Sequence, residues 1–171
     1  PIISQNEIGI LGIIKNKKTK KYLLQAKAEP GNINKIQISP TVQATKSNYT
    51  RVHGGKEIPY LRFFKKKNKN FSLQSEQAFR YYNKLNSNIV SLISKKLKLQ
   101  KSFRWFSKQE IMDLLNKKNI INMDTLSVFS SFIKKNKIDK PLSNNKLNLN
   151  LNCIVKQDQY YFLIDLKNKN N

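Results

Sequence analysis

A chain of 171 residues, 39% of them hydrophobic, can bury one core and is too short for two comfortable domains. Its 33 basic residues outnumber 10 acidic ones to a formal net charge of +23, a surplus that attracts phosphate in nucleic acid or at an anionic surface. The lone Cys153 excludes an internal disulfide and a CxxC zinc site and fits a reducing cytoplasm, and no apolar run approaches the roughly 18 residues of a membrane span, so no membrane partner is expected.

The chain opens on Pro1 and reaches a strand-like run almost at once, so it reads as part of a longer polypeptide. Residues 8–14 are apolar and β-branched, and a lysine-rich turn leads to Tyr22, Leu23 and Leu24, which predicts a β-hairpin. Glu29-Pro30-Gly31-Asn32 is a turn, because proline presets its backbone angle and glycine tolerates positive φ. Short extended pieces follow at 36–38, 41–44 and 60–64. Aromatic and β-branched clusters over 71–93 predict two strands rather than one helix. Ser107-Lys108-Gln109-Glu110 has the form of a capping box, followed by Ile111, Leu114 and Leu115 at helical spacing. Asp124 is expected to cap a second helix whose apolar face holds Leu126, Val128, Phe129, Phe132 and Ile133. These elements predict an α+β domain over residues 1–135, truncated at its start, then a linker and divergent tail over 136–171 that ends in a β-hairpin.

The charge has two readings. The excess is mostly lysine, accompanied by many asparagines and isoleucines, and all three have A/T-rich codons, whereas nucleic-acid readers favour the planar fork of arginine. Compositional drift is therefore preferred over a nucleic-acid footprint. The competing module would use Phe63, Phe64, Tyr81, Tyr82 and Trp105, interleaved with lysines, as stacking platforms.

All five glycines, Gly9, Gly12, Gly31, Gly54 and Gly55, lie in the first third of the chain, which concentrates special backbone geometry there. The same third holds the single histidine, His53, with Lys27, Glu29, Tyr49 and Arg51 on predicted loops. Each alone has a bland reading: a solvated loop histidine, a turn-forming carboxylate, cations facing water, a packing tyrosine.

Together they read differently. Residues 25–55, QAKAEPGNINKIQISPTVQATKSNYTRVHGG, resemble the first repeat of the NDP-hexose 2,3-dehydratases. The likeness continues through IPYLRFF (58–64) and LQSEQ (73–77) and resumes with FRWFSKQEIMDLLNKKNIINMDT (103–125). Such a signal is more specific than a lone glycine motif. Members of that family carry two similar repeats, and this chain resembles most of one. Arg62 stands where an acidic residue is expected, and the tail beyond Lys135 has no counterpart, which leaves a catalytically decayed fragment open as an alternative.

The resemblance implies a Nudix-like mixed β-sheet flanked by helices, without the clustered glutamates by which Nudix hydrolases hold divalent metal; no metal is expected. It also implies a nucleotide-sugar substrate, dTDP-linked, and a homodimer with a second repeat in the same or a neighbouring chain. The C4 ketone of an NDP-4-keto-6-deoxyhexose acidifies the C3 proton; a base removes it and the C2 hydroxyl leaves, with no cofactor required. On this reading His53 or Glu29 is the general base or acid and Tyr49 donates to the C4 oxyanion. Lys27 with Arg51 holds the diphosphate, and Gln25, Asn32, Gln43 and Asn48 contact hydroxyls or the base.

Overall fold

The computed structural model describes residues 3–5, 7–52, 54–65, 71–76, 81–133, 152–157 and 160–165. The chain divides into two units, Pro1–Lys137 and Ile138–Asn171. In the first, a seven-stranded mixed sheet is centred on β2 (Gly9–Asn16), which pairs in parallel with β8 (Leu85–Ile93) from Gly9↔Asn86 to Asn16↔Ile93. Its run of buried residues, Leu11 to Ile14, is what a strand covered on both faces requires. The α+β class predicted from the sequence is the class observed.

The expected hairpin forms, but it opens like a fork. β2 and β3 (Tyr22–Ala28) pair only at Ile14↔Leu23 and Lys15↔Tyr22. Beyond that point β4 (Ile36–Ser39) takes over the inner edge of β3, and β5 (Val42–Ala44) takes over β2 at Ile10 to Gly12. The outer edge of β3 carries β9 (Phe103–Phe106), because Gln25 faces Ser39 on one side and Phe103 on the other. Ser39, Pro40 and Thr41, all buried, form the wedge. At its tip the Thr41 hydroxyl accepts from the Ile14 amide at 3.0 Å and donates to the Leu23 carbonyl, so the splayed strands keep their hydrogen bonds.

Alternation along β2 sends Leu11 and Ile13 to one face and Ile10 and Ile14 to the other. The second face is closed by residues 58–64, which the sequence predicted as partly extended and which instead form a short 3-10 turn over Leu61–Phe63. Tertiary contacts outweigh strand propensity here. Phe64 lies against Gly12, where a Cβ would overlap its ring. Tyr60, at φ 62°, sets its ring edge-on to Phe103 at 4.9 Å, and its hydroxyl donates to the Lys98 carbonyl and accepts from the Gln100 amide. Burying Leu61 and Phe64 in this way contributes about 1.5–3 kcal/mol each.

The other face holds two helices. α2 (Lys108–Leu115) starts on the predicted capping box: Ser107 Oγ accepts from the Glu110 amide at 3.2 Å, and the Ser107 amide donates to Glu110 Oε2 at 2.8 Å. Those bonds, the backbone one foremost, hold the Glu110 carboxyl below its ordinary range. α3 (Met123–Ile133) is capped not by Asp124, as the sequence suggested, but by Asn122, whose Oδ1 accepts from the Thr125 amide at 2.9 Å. Asn122 wins because its backbone is already pinned to β4, its amide donating to the Ile38 carbonyl at 3.0 Å. Val128, fully buried, anchors α3 over β2 and β8, and Phe129 meets Tyr22 edge-on at 5.4 Å.

A smaller parallel pair, β1 (Ile3–Ser4) with β7 (Tyr81–Tyr82), lies in the first unit, and β6 (Phe71–Ser75) forms the sheet edge beside β8. The described part of the second unit is an antiparallel hairpin of β10 (Asn152–Gln157) and β11 (Tyr160–Asp165), in register from Asn152↔Asp165 to Gln157↔Tyr160.

Candidate active site

The open end of the fork is a cavity of about 230 Å³. β3 and its following turn supply Lys27 and Glu29; β5 and the segment after it supply Gln43, Ala44, Thr45 and Asn48. Leu11 lies on the wall from β2, Lys84 and Asn86 enter at the start of β8, Glu76 follows β6, and Asp124 enters from the first turn of α3. Three of the chain's 10 acidic residues thus line one cavity in a molecule of net charge +23.

Two of the three carboxylates are tied down. Lys27 Nζ lies 2.7 Å from Glu29 Oε1, and Gln43 Nε2 donates to the same oxygen at 3.1 Å. Gln43 Oε1 in turn accepts from Asn122 Nδ2 at 3.3 Å, and Asn122 also donates to Ser39 Oγ at 3.0 Å, so the helix cap and the wedge orient Glu29. Across the cavity Asn86 Nδ2 donates to Glu76 Oε2, which stands 3.8 Å from Lys84 Nζ. Gly9 makes room for this arrangement, since a Cβ there would overlap the Asn86 side chain.

Asp124 differs from both. Among the described residues its carboxylate takes part in neither an ion pair nor a hydrogen bond, and burial, reinforced by the neighbouring charges of Glu76 and Glu29, pushes it up from 3.8 to about 6. Lys27 and Lys84 oppose the rise without cancelling it. A carboxylate near neutrality beside amide donors can exchange a proton with a ligand at physiological pH.

Residues 1–132 match the family model described as NDP-hexose 2,3-dehydratase. The chain belongs to this family. It is 42% identical over 136 residues to a dTDP-4-dehydro-6-deoxy-alpha-D-glucopyranose 2,3-dehydratase of Saccharopolyspora spinosa, covering 76% of this chain and 28% of that protein. Proteins of the same name from Streptomyces violaceoruber and Amycolatopsis orientalis are 37% identical over 157 residues and 38% over 136. Those matches cover 83% and 76% of this chain and 35% and 29% of the relatives. The chain spans about a third of the length of the curated relatives it matches.

Within this family member, Lys27, Glu29, Gln43 and Asn48 of the sequence candidates line the cavity. Four other candidates are not among its walls. Gln25 pairs within the sheet, and Asn32 donates to the Lys27 carbonyl at 3.3 Å, closing the turn. Tyr49 packs half-buried against one of the two core clusters, the packing role that its ring also allowed. Arg51 is exposed at the left-handed end of α1 (Lys46–Thr50), donating to the Gly55 carbonyl at 3.1 Å. His53 lies outside the described residues. Sequence reasoning missed Asp124, Glu76, Lys84 and Asn86. Glu76 and Asp124 both stand inside the quoted family-like segments, and in a chain this poor in acids their presence there was the available signal.

Among the described residues no three metal-ligating side chains converge on one point, and no helix is long and apolar enough to cross a membrane. The aromatic platforms of the nucleic-acid reading are largely spent on packing: Phe64 is buried, and Phe63 and Trp105 lie against the core.

Proposed function

We propose that this cavity receives the sugar of a nucleotide-linked 4-keto-6-deoxyhexose, dTDP-linked in the named relatives, and that the chain eliminates its C2 hydroxyl. The observation that carries the reading is Asp124, a half-buried carboxylate near neutral pKa facing two oriented acids and their lysines. Ionised Asp124 takes the proton from C3, and the electron pair moves into the C3–C4 bond to give an enolate at the C4 oxygen. The enolate collapses back to the ketone as the C2–O bond breaks, the proton returns from Asp124 to the departing hydroxyl, and water and a 2,3-ene result. A separate reductase would consume that product.

Asp124 thereby takes the base and acid roles that the sequence assigned to His53 or Glu29. Glu29, fixed by Lys27 and Gln43, accepts hydrogen bonds from sugar hydroxyls, with Gln43 and Asn48 beside it. Lys27 is neutralised at 2.7 Å and is poorly suited to grip a diphosphate, so that contact falls to exposed Arg51 at the end of α1. The Nudix-like topology, a second repeat in this or a neighbouring chain, a pairing of two copies and a cytoplasmic location go with the same reading, on the resemblance alone.

The test is to incubate the protein with dTDP-4-keto-6-deoxyglucose in deuterium oxide and follow the sugar by NMR. Loss of the C3 proton signal and growth of an olefinic one support the elimination. A sugar that is bound yet keeps its C3 proton contradicts it.

A further inference from the structure

Lys84 is the one charged side chain that is nine-tenths buried among the described residues, at 6% exposure, and no step above uses it. It precedes β8, and its carbonyl is locked by the Glu76 amide at 2.9 Å. The β1–β7 pairing brings up Gln5, whose Oε1 accepts from Lys84 Nζ at 2.8 Å. The nearest carboxylate oxygen, on Glu76, is 3.8 Å away and is already engaged by Asn86, while the Tyr81 ring centroid lies 4.2 Å from the ammonium. An ammonium has three protons, and among the described residues only one of them has a short acceptor, a neutral amide. Lys27 contrasts with it: more exposed and 2.7 Å from Glu29, its charge is cancelled.

We propose that Lys84, which lines the same cavity as Asp124, is the catalytic residue that stabilises the enolate oxygen at C4, a role that the sequence had given to Tyr49. This rests on the elimination reading. A fixed, buried cation where negative charge develops favours the transition state over the bound ketone.

The experiment compares the wild-type protein with Lys84→Arg, Lys84→Gln and Lys84→Ala, with folding checked by circular dichroism and methylammonium added to the alanine variant. The proposal expects kcat to fall about 100-fold in the neutral variants with KM changed less than about 3-fold. Methylammonium should restore at least about 10-fold of the alanine variant's loss, and arginine should keep part of the rate. A folded neutral variant with wild-type kcat, or a raised KM with unchanged kcat, overturns the proposal, as does a folded alanine variant that methylammonium does not rescue. A wild-type protein without turnover sinks the elimination reading itself, and so is told apart from a failure of Lys84 alone.

Discussion

The side-chain amide of Gln43 donates to the Glu29 carboxylate at 3.1 Å across the opened end of the β2–β3 hairpin, while its carbonyl oxygen holds the α3 cap residue Asn122. One side chain thus couples helix, wedge and acid. Gln43→Leu removes both bonds and leaves the Asn122 amide short of one acceptor. We expect kcat to fall about 10-fold or more through misplacement of Glu29, with stability lowered by about 1–2 kcal/mol. Steady-state kinetics and urea unfolding check both; unaltered kinetics would show that Glu29 needs no positioning.

With its carboxyl raised by burial, Asp124 is expected to make the protein less stable at neutral pH. Below 3.8 the carboxyl is protonated in folded and unfolded chains alike, and its contribution is complete. Between 3.8 and about 6 the folded state binds the extra proton, so stability falls as pH rises through that window. A shift of this size corresponds to at most about 3 kcal/mol, and partial solvation trims it to about 1–2. Asp124→Asn should therefore match the wild type in urea at pH 4 and exceed it at pH 8. A variant no more stable at pH 8 would mean that the carboxyl is not desolvated.

Thr41→Val keeps the shape of the wedge and removes its hydroxyl. The buried Ile14 amide and Leu23 carbonyl then lose their partner, at about 2–4 kcal/mol, and the fork should loosen. Hydrogen exchange at the Ile14 amide is the direct probe, with faster exchange in the variant expected.

Gly12→Ala places a methyl group in the Phe64 ring and should cost about 1–3 kcal/mol. Adding Phe64→Leu should recover part of that loss, because a smaller side chain yields the space. Calorimetric melting of the single and double variants measures the coupling; strict additivity would contradict the contact.

What the sequence disclosed follows the range of the forces involved. The Ser107–Glu110 capping box and the turn at Pro30-Gly31 were readable because each is closed by residues within three positions. The 60–64 segment departs from its predicted extended form because its conformation is decided by Gly12 and Phe103, tens of residues away. Sequence alone points to Asp124 as the cap because the competing claim of Asn122 depends on Ile38 of β4. The cavity divides in the same way. Lys27, Glu29, Gln43 and Asn48 lie in one contiguous family-like stretch, whereas Lys84 and Asn86 arrive through the parallel pairing of β2 with β8, and Asp124 through the docking of α3, neither of which leaves a local pattern. Motif reading also favoured Tyr49 and Arg51 for their chemistry, and the structure places one against the core and the other at a helix end.

The measurement that bears most directly on this account is the pH dependence of dehydration in the wild type and in Asp124→Asn. If ionised Asp124 is the base, the wild-type rate should rise with pH through an apparent pKa of about 6 and level off above it. The variant should be slower by about 100-fold or more, with that limb gone. A variant that keeps the wild-type rate and the same limb would place the proton transfer on another group and contradict the mechanism.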